Sequence, residues 1–244
     1  KGENIRREIC LMLEQMGIRP ESSHHEEGPG QNEIDFRYSD ALTAADNAMT
    51  FATVVKTVSG RNGLWADFSP KPLKDKAGNG FHINLSAKDN TKQDLLPHII
   101  AGVLHLIPEM SAFLNPREDS YERFGFSKAP AYISWSAENR SQLIRVPAAV
   151  YEQKRMELRS PDPTANPYLA FALIIYAGLY GIRNRLLPPP AADFNLFKAD
   201  EATLKQLRRL PASLDEAIAV MQKSEFIREH LPAQIIGLYG RKLI

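Results

Sequence analysis

The stretch Arg155-Met156-Glu157-Leu158-Arg159-Ser160-Pro161-Asp162-Pro163-Thr164-Ala165-Asn166-Pro167-Tyr168 decides how the rest of the chain is read. Its first five residues alternate polar and apolar, and in an extended strand successive side chains point to opposite faces. Met156 and Leu158 are expected to face a core, with Arg155, Glu157 and Arg159 in a row on the other face at spacings of ~6–7 Å. A carboxylate between two guanidinium groups is an ordinary ion-pair ladder in most proteins. It is also a way to hold a metal ion beside anionic groups, and that reading needs other strands with the same pattern. Two such strands exist. Glu33, Asp35 and Arg37 alternate with Ile34, Phe36 and Tyr38, and His82, Asn84 and Ser86 alternate with Phe81, Ile83 and Leu85.

Helical periodicity fills the intervals. Residues 4–16 predict a helix capped by Asn4, with Ile5, Ile9, Met12 and Met16 on its buried stripe and Gly17 as its stop. Residues 40–59 predict a second, capped by Asp40, with Leu42, Ala45, Met49, Ala52 and Val55 on one face and Gly60 and Gly63 beyond its end. A third covers 91–107, with Leu95, Ile99, Val103 and Leu106 buried. Asp162, with Pro163 after it, predicts the start of a fourth that runs to about Leu186. Residues 108–130 lack periodicity and read as a long functional loop. Residues 132–135 read as a strand, 74–80 as a flexible loop, and 201–209, 213–223 and 225–230 as helices after Pro188-Pro189-Pro190. The expected class is α+β: an antiparallel sheet flanked by long helices, with a helical C-terminal segment. The expected organisation is one catalytic domain over 1–244, with a core over 1–187 and a mostly helical part over 188–244.

With 244 residues and a formal net charge of +1, the chain has no global field that points to nucleic acid or to an anionic membrane. Its one cysteine, Cys10, excludes a disulfide framework or a cysteine-based zinc site within the chain, fits a reducing cytoplasmic compartment, and reads as a small buried hydrophobe. No secretory signal opens it, and the apolar run over 167–182 is too short and too interrupted by Gly178 and Gly181 to span a bilayer. The chain begins at Lys1, inside a helical pattern, and so reads as a fragment or a processed form.

The polar strand faces and the segment before them hold Glu26, Glu33, His82 and Glu157, and oxygen ligands with one imidazole suit Mg²⁺ or Mn²⁺. Arg123, Arg140, Arg145, Arg155 and Arg159 can grip carboxylate or phosphate oxygens bidentately. A metal with arginines is the equipment of phosphoryl transfer. Each residue alone also has a bland reading: a lone strand histidine is most often structural, and His24-His25 is a weak signal by itself. Neither a Walker A pattern nor Gly-x-Gly-x-x-Gly before a helix occurs.

Taken in order, five segments resemble one family. They are His24-His25-Glu26-Glu27-Gly28-Pro29-Gly30-Gln31-Asn32-Glu33; Pro70-Lys71-Pro72; Gly78-Asn79-Gly80-Phe81-His82-Ile83-Asn84-Leu85-Ser86; Asn139-Arg140-Ser141 through Arg145-Val146-Pro147; and Arg155-Met156-Glu157-Leu158-Arg159-Ser160-Pro161-Asp162-Pro163. Together they resemble glutamine synthetases of the bacterial type, in detail over 1–187 and more loosely beyond. The resemblance implies the catalytic-domain fold shared with guanidino kinases. It implies an ATP-dependent carbon–nitrogen ligase in which glutamate is phosphorylated on its side chain and ammonia, or another amine, displaces the phosphate. It implies Mg²⁺ or Mn²⁺, two to three ions per complete site, with Glu26 and Glu33 in one metal site and His82 and Glu157 in another. Gly78, Arg123, Arg140 and Arg159 are then the glutamate contacts, with Arg140 and Arg159 also catalytic, and Glu21, Asn84, Ser86, Arg145 and Arg155 the nucleotide contacts. A homo-oligomer, a double-ring dodecamer for the full-length protein, is implied as well.

Four departures accompany the resemblance. Relatives carry a Glu-x-Glu strand and a small domain ahead of this region, so the chain reads as an incomplete C-terminal fragment, inactive alone. Lys128 in Gly125-Phe126-Ser127-Lys128-Ala129-Pro130 stands where relatives carry a loop glutamate that assists ammonium, and a cation there repels ammonium. Ala77 stands beside Gly78 where many relatives have Asn. Phe197 in Asn195-Leu196-Phe197 lacks the hydroxyl that carries adenylylation in some relatives. The alternative expectation is a non-catalytic relative with a structural or regulatory role.

Overall fold

The structure is a computed structural model that describes residues 2–88, 93–148 and 154–241. The chain divides into two compact units, Lys1–Phe68 with Pro72–Ala77, and Ser69–Lys71 with Gly78–Ile244.

The first unit holds α1 (Gly2–Gln15), β1 (Pro20–His25), β2 (Asn32–Phe36) and α2 (Ala41–Arg61). β1 and β2 form an antiparallel hairpin that pairs His24 with Glu33 and His25 with Asn32. Its turn is the expected Gly28-Pro29-Gly30, where Gln31 N donates to Gly28 O (3.0 Å) and Gly30 takes φ +71°, a conformation that favours glycine. Ile34 and Phe36 pack against a small core of Ile5, Ile9, Leu13, Ile18, Val54 and Val58.

Asp40 caps α2 as expected, accepting from Thr43 N at 3.1 Å. The buried stripes differ from expectation. Leu13 replaces Met16 on α1, which starts at Gly2 rather than after Asn4. On α2, Val54 and Val58 are buried, whereas Leu42 and Met49 are exposed. The end of α2 is the part tied to α1, through an Asn62–Glu8 side-chain bond of 3.0 Å. Cys10 is half-buried rather than buried, and β1 is a strand that periodicity does not predict.

The second unit is built on a four-stranded sheet in the order β3 (Ile83–Leu85), β6 (Met156–Leu158), β5 (Ile144–Val146), β4 (Trp135–Ala137). β6 pairs antiparallel with both neighbours, and the register aligns Asn84, Glu157 and Arg145 in one row. The opening stretch of the sequence is therefore an inner strand, and the α+β class holds. The sheet is not wholly antiparallel, because β4 and β5 run parallel. A loop of only six residues joins them, closed by Asn139 Oδ1 accepting from Ser141 N (3.0 Å) and from its hydroxyl (2.9 Å), a side-chain turn that periodicity does not reveal.

Behind the sheet lie α3 (Leu96–Leu114) and α5 (Pro167–Arg183), which bury Met156, Leu158, Ile83 and Ile144 together with Ile107, Met110, Phe113, Leu173 and Ile174. α3 is long and apolar enough to cross a membrane, but 72% of that stretch is buried inside the fold, which makes it a core helix. The two helices approach closely at glycines. A Cβ on Gly102 would lie 2.1 Å from Ala177 O, and one on Gly181 would lie 2.0 Å from His98 O.

α3 runs through Pro108, where the sequence reading ends a helix, and α4 (Glu118–Tyr121) follows, so 108–130 is not one loop. The first residues of the helix expected over 91–107 lie outside the described residues. α5 starts at Pro167 with Asn166 as its cap, because Asp162 instead accepts from Thr164 N (2.9 Å) and from Asn115 Nδ2 (3.1 Å). β4 begins at Trp135, while Tyr132 bridges to Arg209. The C-terminal part carries a 3-10 turn at Leu196–Lys198, α6 (Glu201–Leu204, shorter than expected), α7 (Leu214–Lys223), α8 (Glu225–His230) and an unexpected α9 (Ala233–Tyr239).

Candidate active site

Met156 and Leu158 on β6 are fully buried, as the alternation predicts, and Glu157 is buried too, at 8% exposure. The row Arg155, Glu157, Arg159 is not a solvated ladder. Glu157 Oε1 accepts from Arg159 Nη1 at 2.8 Å and lies 3.3 Å from His82 Nδ1, and Glu157 Oε2 accepts from Arg145 Nη1 at 3.0 Å. Burial alone raises a carboxyl pKa. Here the His82 hydrogen bond and the Arg159 charge outweigh it and bring Glu157 down to about 2. Burial lowers the pKa of His82 and favours the neutral imidazole. The strand thus presents a carboxylate that is ionised at neutral pH beside an imidazole whose neutral form is favoured, a donor pair suited to a divalent ion.

Arg123 sits close by at 2% exposure. Its Nη1 donates to Ser160 O (3.1 Å), Nη2 to Pro161 O (3.5 Å), and Asp162 lies 3.8 Å away. Asn115 Nδ2 holds the same loop through Ser160 O (2.8 Å) and Asp162. Arg123 Nε and Arg159 Nε are buried and have no hydrogen-bond partner within the protein. An unmet buried N–H costs about 1–3 kcal/mol, so two of them mark a place suited to an anion. Gly78 and Gly80 keep this place open. A Cβ on Gly78 would lie 2.6 Å from Pro70 O and 2.7 Å from Arg123 Cγ, and one on Gly80 would lie 2.9 Å from His82 Nε2 and 3.6 Å from Arg123 Nη2.

The other expected residues of this unit are more open. Arg155 Nε donates to Asn84 Oδ1 at 3.1 Å, and Ser86 is exposed just beyond β3. Arg140 is exposed on the β4–β5 loop, apart from the hydrogen-bonded cluster around Glu157, although its charge helps lower the pKa of Arg159. Lys128 is exposed in a tight turn where Gly125 N donates to Ala129 O (2.9 Å), with positive φ at Gly125 and Ser127. Lys71 Nζ lies 3.9 Å from the centre of the Phe126 ring in that turn. Phe126 N donates to Arg123 O (3.1 Å), which ties the turn to the buried arginine.

The first unit carries its own cluster. His24, Glu26 and Glu33 each offer a ligand atom, and these atoms all lie within 4.8 Å of one another. Burial and the nearby Asp35 and Glu26 carboxylates raise Glu33 from 4.5 to about 7. Glu21, on β1, is exposed. The donor chemistry fits a divalent ion: two carboxylates and an imidazole in the hairpin, and Glu157 with His82 on the sheet. Sequence reasoning leaves His24 aside. The cross-strand pairing of His24 with Glu33 is the missing signal, and it becomes visible only once β1 is recognised as a strand.

The chain matches the family model described as glutamine synthetase, catalytic domain, over residues 1–242. It belongs to the glutamine synthetase family. It is 45% identical over 254 residues to the glutamine synthetase of Clostridium saccharobutylicum and 43% identical over 256 residues to that of Methanosarcina mazei. In both cases 98% of this chain and 57% of the relative are covered. This glutamine synthetase relative thus spans little more than half the length of those proteins. A solved structure of a GmaS/ADP complex superposes with a TM-score of 0.87 at 30% identity, covering 97% of this chain and 58% of its own. An apo GmaS structure gives 0.85.

Proposed function

We propose that this chain supplies catalytic machinery to an ATP-dependent carbon–nitrogen ligase that joins an amine to the side-chain carboxyl of glutamate. The observation that carries the reading is Glu157 on an inner strand, held by Arg145, Arg159 and His82, with the orphaned N–H groups of Arg123 and Arg159 beside it. Arg123 and Arg159 hold the carboxylates of glutamate, with Gly78 leaving room for the amino acid. Arg140, Arg145 and Arg155 neutralise phosphate oxygens as charge develops on them. Glu21, Asn84 and Ser86 contact the nucleotide, a role supported by the likeness of the fold to that of the GmaS/ADP complex. Glu26 and Glu33 hold one Mg²⁺ or Mn²⁺, and Glu157 with His82 holds another. The ions supply charge neutralisation of the phosphates. The setting is cytoplasmic. The chain covers 57% of its relatives' length, which supports an activity that belongs to a longer protein; in this reading that protein is a homo-oligomer, and the 244 residues alone lack the activity.

The amine is the open element of this reading. Lys128 projects from the turn tied to Arg123 and brings a cation where the family resemblance places an acid. A cation disfavours ammonium, so ammonia is used inefficiently. Assays of the longer protein with ATP, glutamate and a panel of amines test this. The expectation is a higher kcat/KM for another amine, and a gain of about tenfold with ammonia in Lys128→Glu, equivalent to ~1.4 kcal/mol. Ordinary ammonia kinetics that Lys128→Glu leaves unimproved would contradict it. The second reading, a non-catalytic relative, is favoured by Lys128 and Ala77. Calorimetry separates the two, since a non-catalytic relative has no need to bind both Mn²⁺ and ATP.

A further inference from the structure

Asn115 follows the last residue of α3 and reaches into the turn that holds Arg123. Both Asn115 and Asp162 are buried. Asn115 Nδ2 donates to Ser160 O (2.8 Å) and to Asp162 Oδ2 (3.1 Å). The backbone fixes this placement, since Asn115 N donates to Ser111 O (2.8 Å) and Asp162 N donates to Leu114 O (3.2 Å). The other carboxylate oxygen, Asp162 Oδ1, accepts from Thr164 N (2.9 Å) and from the Thr164 hydroxyl. Both oxygens of this buried carboxylate are therefore engaged without Arg123. Arg123 Nη1 stays 3.8 Å from Asp162 Oδ2, outside hydrogen-bond range, and donates to Ser160 O instead. Arg159 behaves differently and bonds Glu157 at 2.8 Å. Close, charge-assisted bonds of that kind are the strong ones, so a buried guanidinium left to itself closes on a neighbouring carboxylate.

We propose that Asn115 is a positioning residue that holds the Asp162 carboxylate back from Arg123. The carboxylate balances the buried guanidinium charge from a distance, and the donors of Arg123 remain for the carboxylate of an incoming amino acid. The inference rests on the ligase reading for the identity of that ligand, glutamate. What it adds is a residue that acts through Arg123 without touching the substrate. Two features fit it. Arg123 Nε is buried and has no hydrogen-bond partner within the protein, as expected of a guanidinium withheld from its counter-ion. The turn that accepts from Arg123 is also held from the sheet side, where Phe81 N donates to Pro161 O at 2.8 Å, so its carbonyls stand where Asn115 and Phe81 fix them. Without Asn115, Asp162 Oδ2 loses its donor. A buried carboxylate oxygen without a donor is costly, and that cost draws the Arg123 guanidinium onto it.

Glutamate kinetics and glutamate binding in the longer protein test this. Asn115→Ala is expected to raise KM for glutamate about tenfold and to leave kcat within about twofold, because binding depends on the donors of Arg123 and turnover does not. Adding Asp162→Asn removes the charge that captures Arg123, and the double variant is expected to return to within about threefold of the wild-type KM. A merely structural Asn115 gives a double variant no better than the single one, and that result overturns the proposal. A loss confined to kcat overturns it as well. Calorimetry with glutamate repeats the comparison without turnover. A protein that binds glutamate but never forms product would refute the ligase reading and leave the Asn115 comparison intact, whereas a wild type that binds no glutamate overturns both. If the variants fail to fold, crystal structures of the wild-type longer protein with and without glutamate decide. Asp162 Oδ2 must stay beyond hydrogen-bond reach of Arg123 in both, with an Arg123 nitrogen on the bound carboxylate. A pair closed in the glutamate-free structure overturns the assignment.

Discussion

The β1–β2 hairpin and strand β6 both present glutamates, and they treat them in opposite ways. On β6 the carboxylate is buried and held by two guanidinium groups and an imidazole: Glu157 has Arg145, Arg159 and His82 within 3.3 Å, and its pKa falls to about 2. On the hairpin the carboxylates are half-exposed and crowd one another, and Glu33 rises to about 7. The first arrangement is set by the protein itself. The second is electrostatically incomplete and gains most from a cation. The sheet thus balances its buried carboxylate with fixed guanidinium groups, and the hairpin leaves its carboxylates crowded together.

Three substitutions probe this contrast. The strongest response is expected at Glu157→Gln. It leaves Arg159 buried against Arg145 without the shared carboxylate, and losing one partner of a buried ionic group costs about 3–5 kcal/mol. Denaturant unfolding measures it, and a cost below ~1 kcal/mol would mean that the cluster is solvated after all.

Next in size is Gly102→Ala. Its Cβ would meet Ala177 O at 2.1 Å and force α3 away from α5, the helices that back β6. Overpacking of this kind costs about 1–3 kcal/mol. Gly237→Ala, where a Cβ meets nothing within 4 Å, serves as the control.

The weakest response concerns Glu33 in chelator-treated protein. Its folded pKa of about 7 lies above the ordinary 4.5, so its contribution is fully present below pH 4.5 and is lost as pH rises from there through 7. Glu33→Gln should flatten that part of the stability–pH curve and leave the protein no less stable at pH 8. An unchanged slope would remove the electrostatic distinction between the two regions.

Much of this organisation is legible in the residues. Alternation over 155–159 locates a strand, Asp40 marks a true cap, and Gly28-Pro29-Gly30 marks a true turn. What cannot be read follows from tertiary choices. Pro108 sits inside a helix because the apolar stripe continues past it to Phe113 and Leu114 and packing outweighs the break. Asp162 looks like a cap, yet its carboxylate is taken by Thr164 and Asn115, which hands the helix start to Asn166. In the site, Arg123, His82, Glu157 and Arg159 are brought into one cluster, while Arg140 and Lys128 lie on exposed turns. His24 escapes a reading by periodicity because a histidine pair has no meaning until its cross-strand partner is known.

In the proposed reaction, glutamate is activated on its side-chain carboxyl at the expense of ATP. Oxygen tracing in the longer protein tests that step without intermediaries, with glutamate labelled by ¹⁸O in the side-chain carboxylate and supplied with ATP, Mn²⁺ and the preferred amine. A carboxylate oxygen that attacks phosphorus leaves with the phosphate when the amine displaces it, so one ¹⁸O is expected in each phosphate released. Phosphate formed in step with product but free of label would rule out activation through the carboxyl.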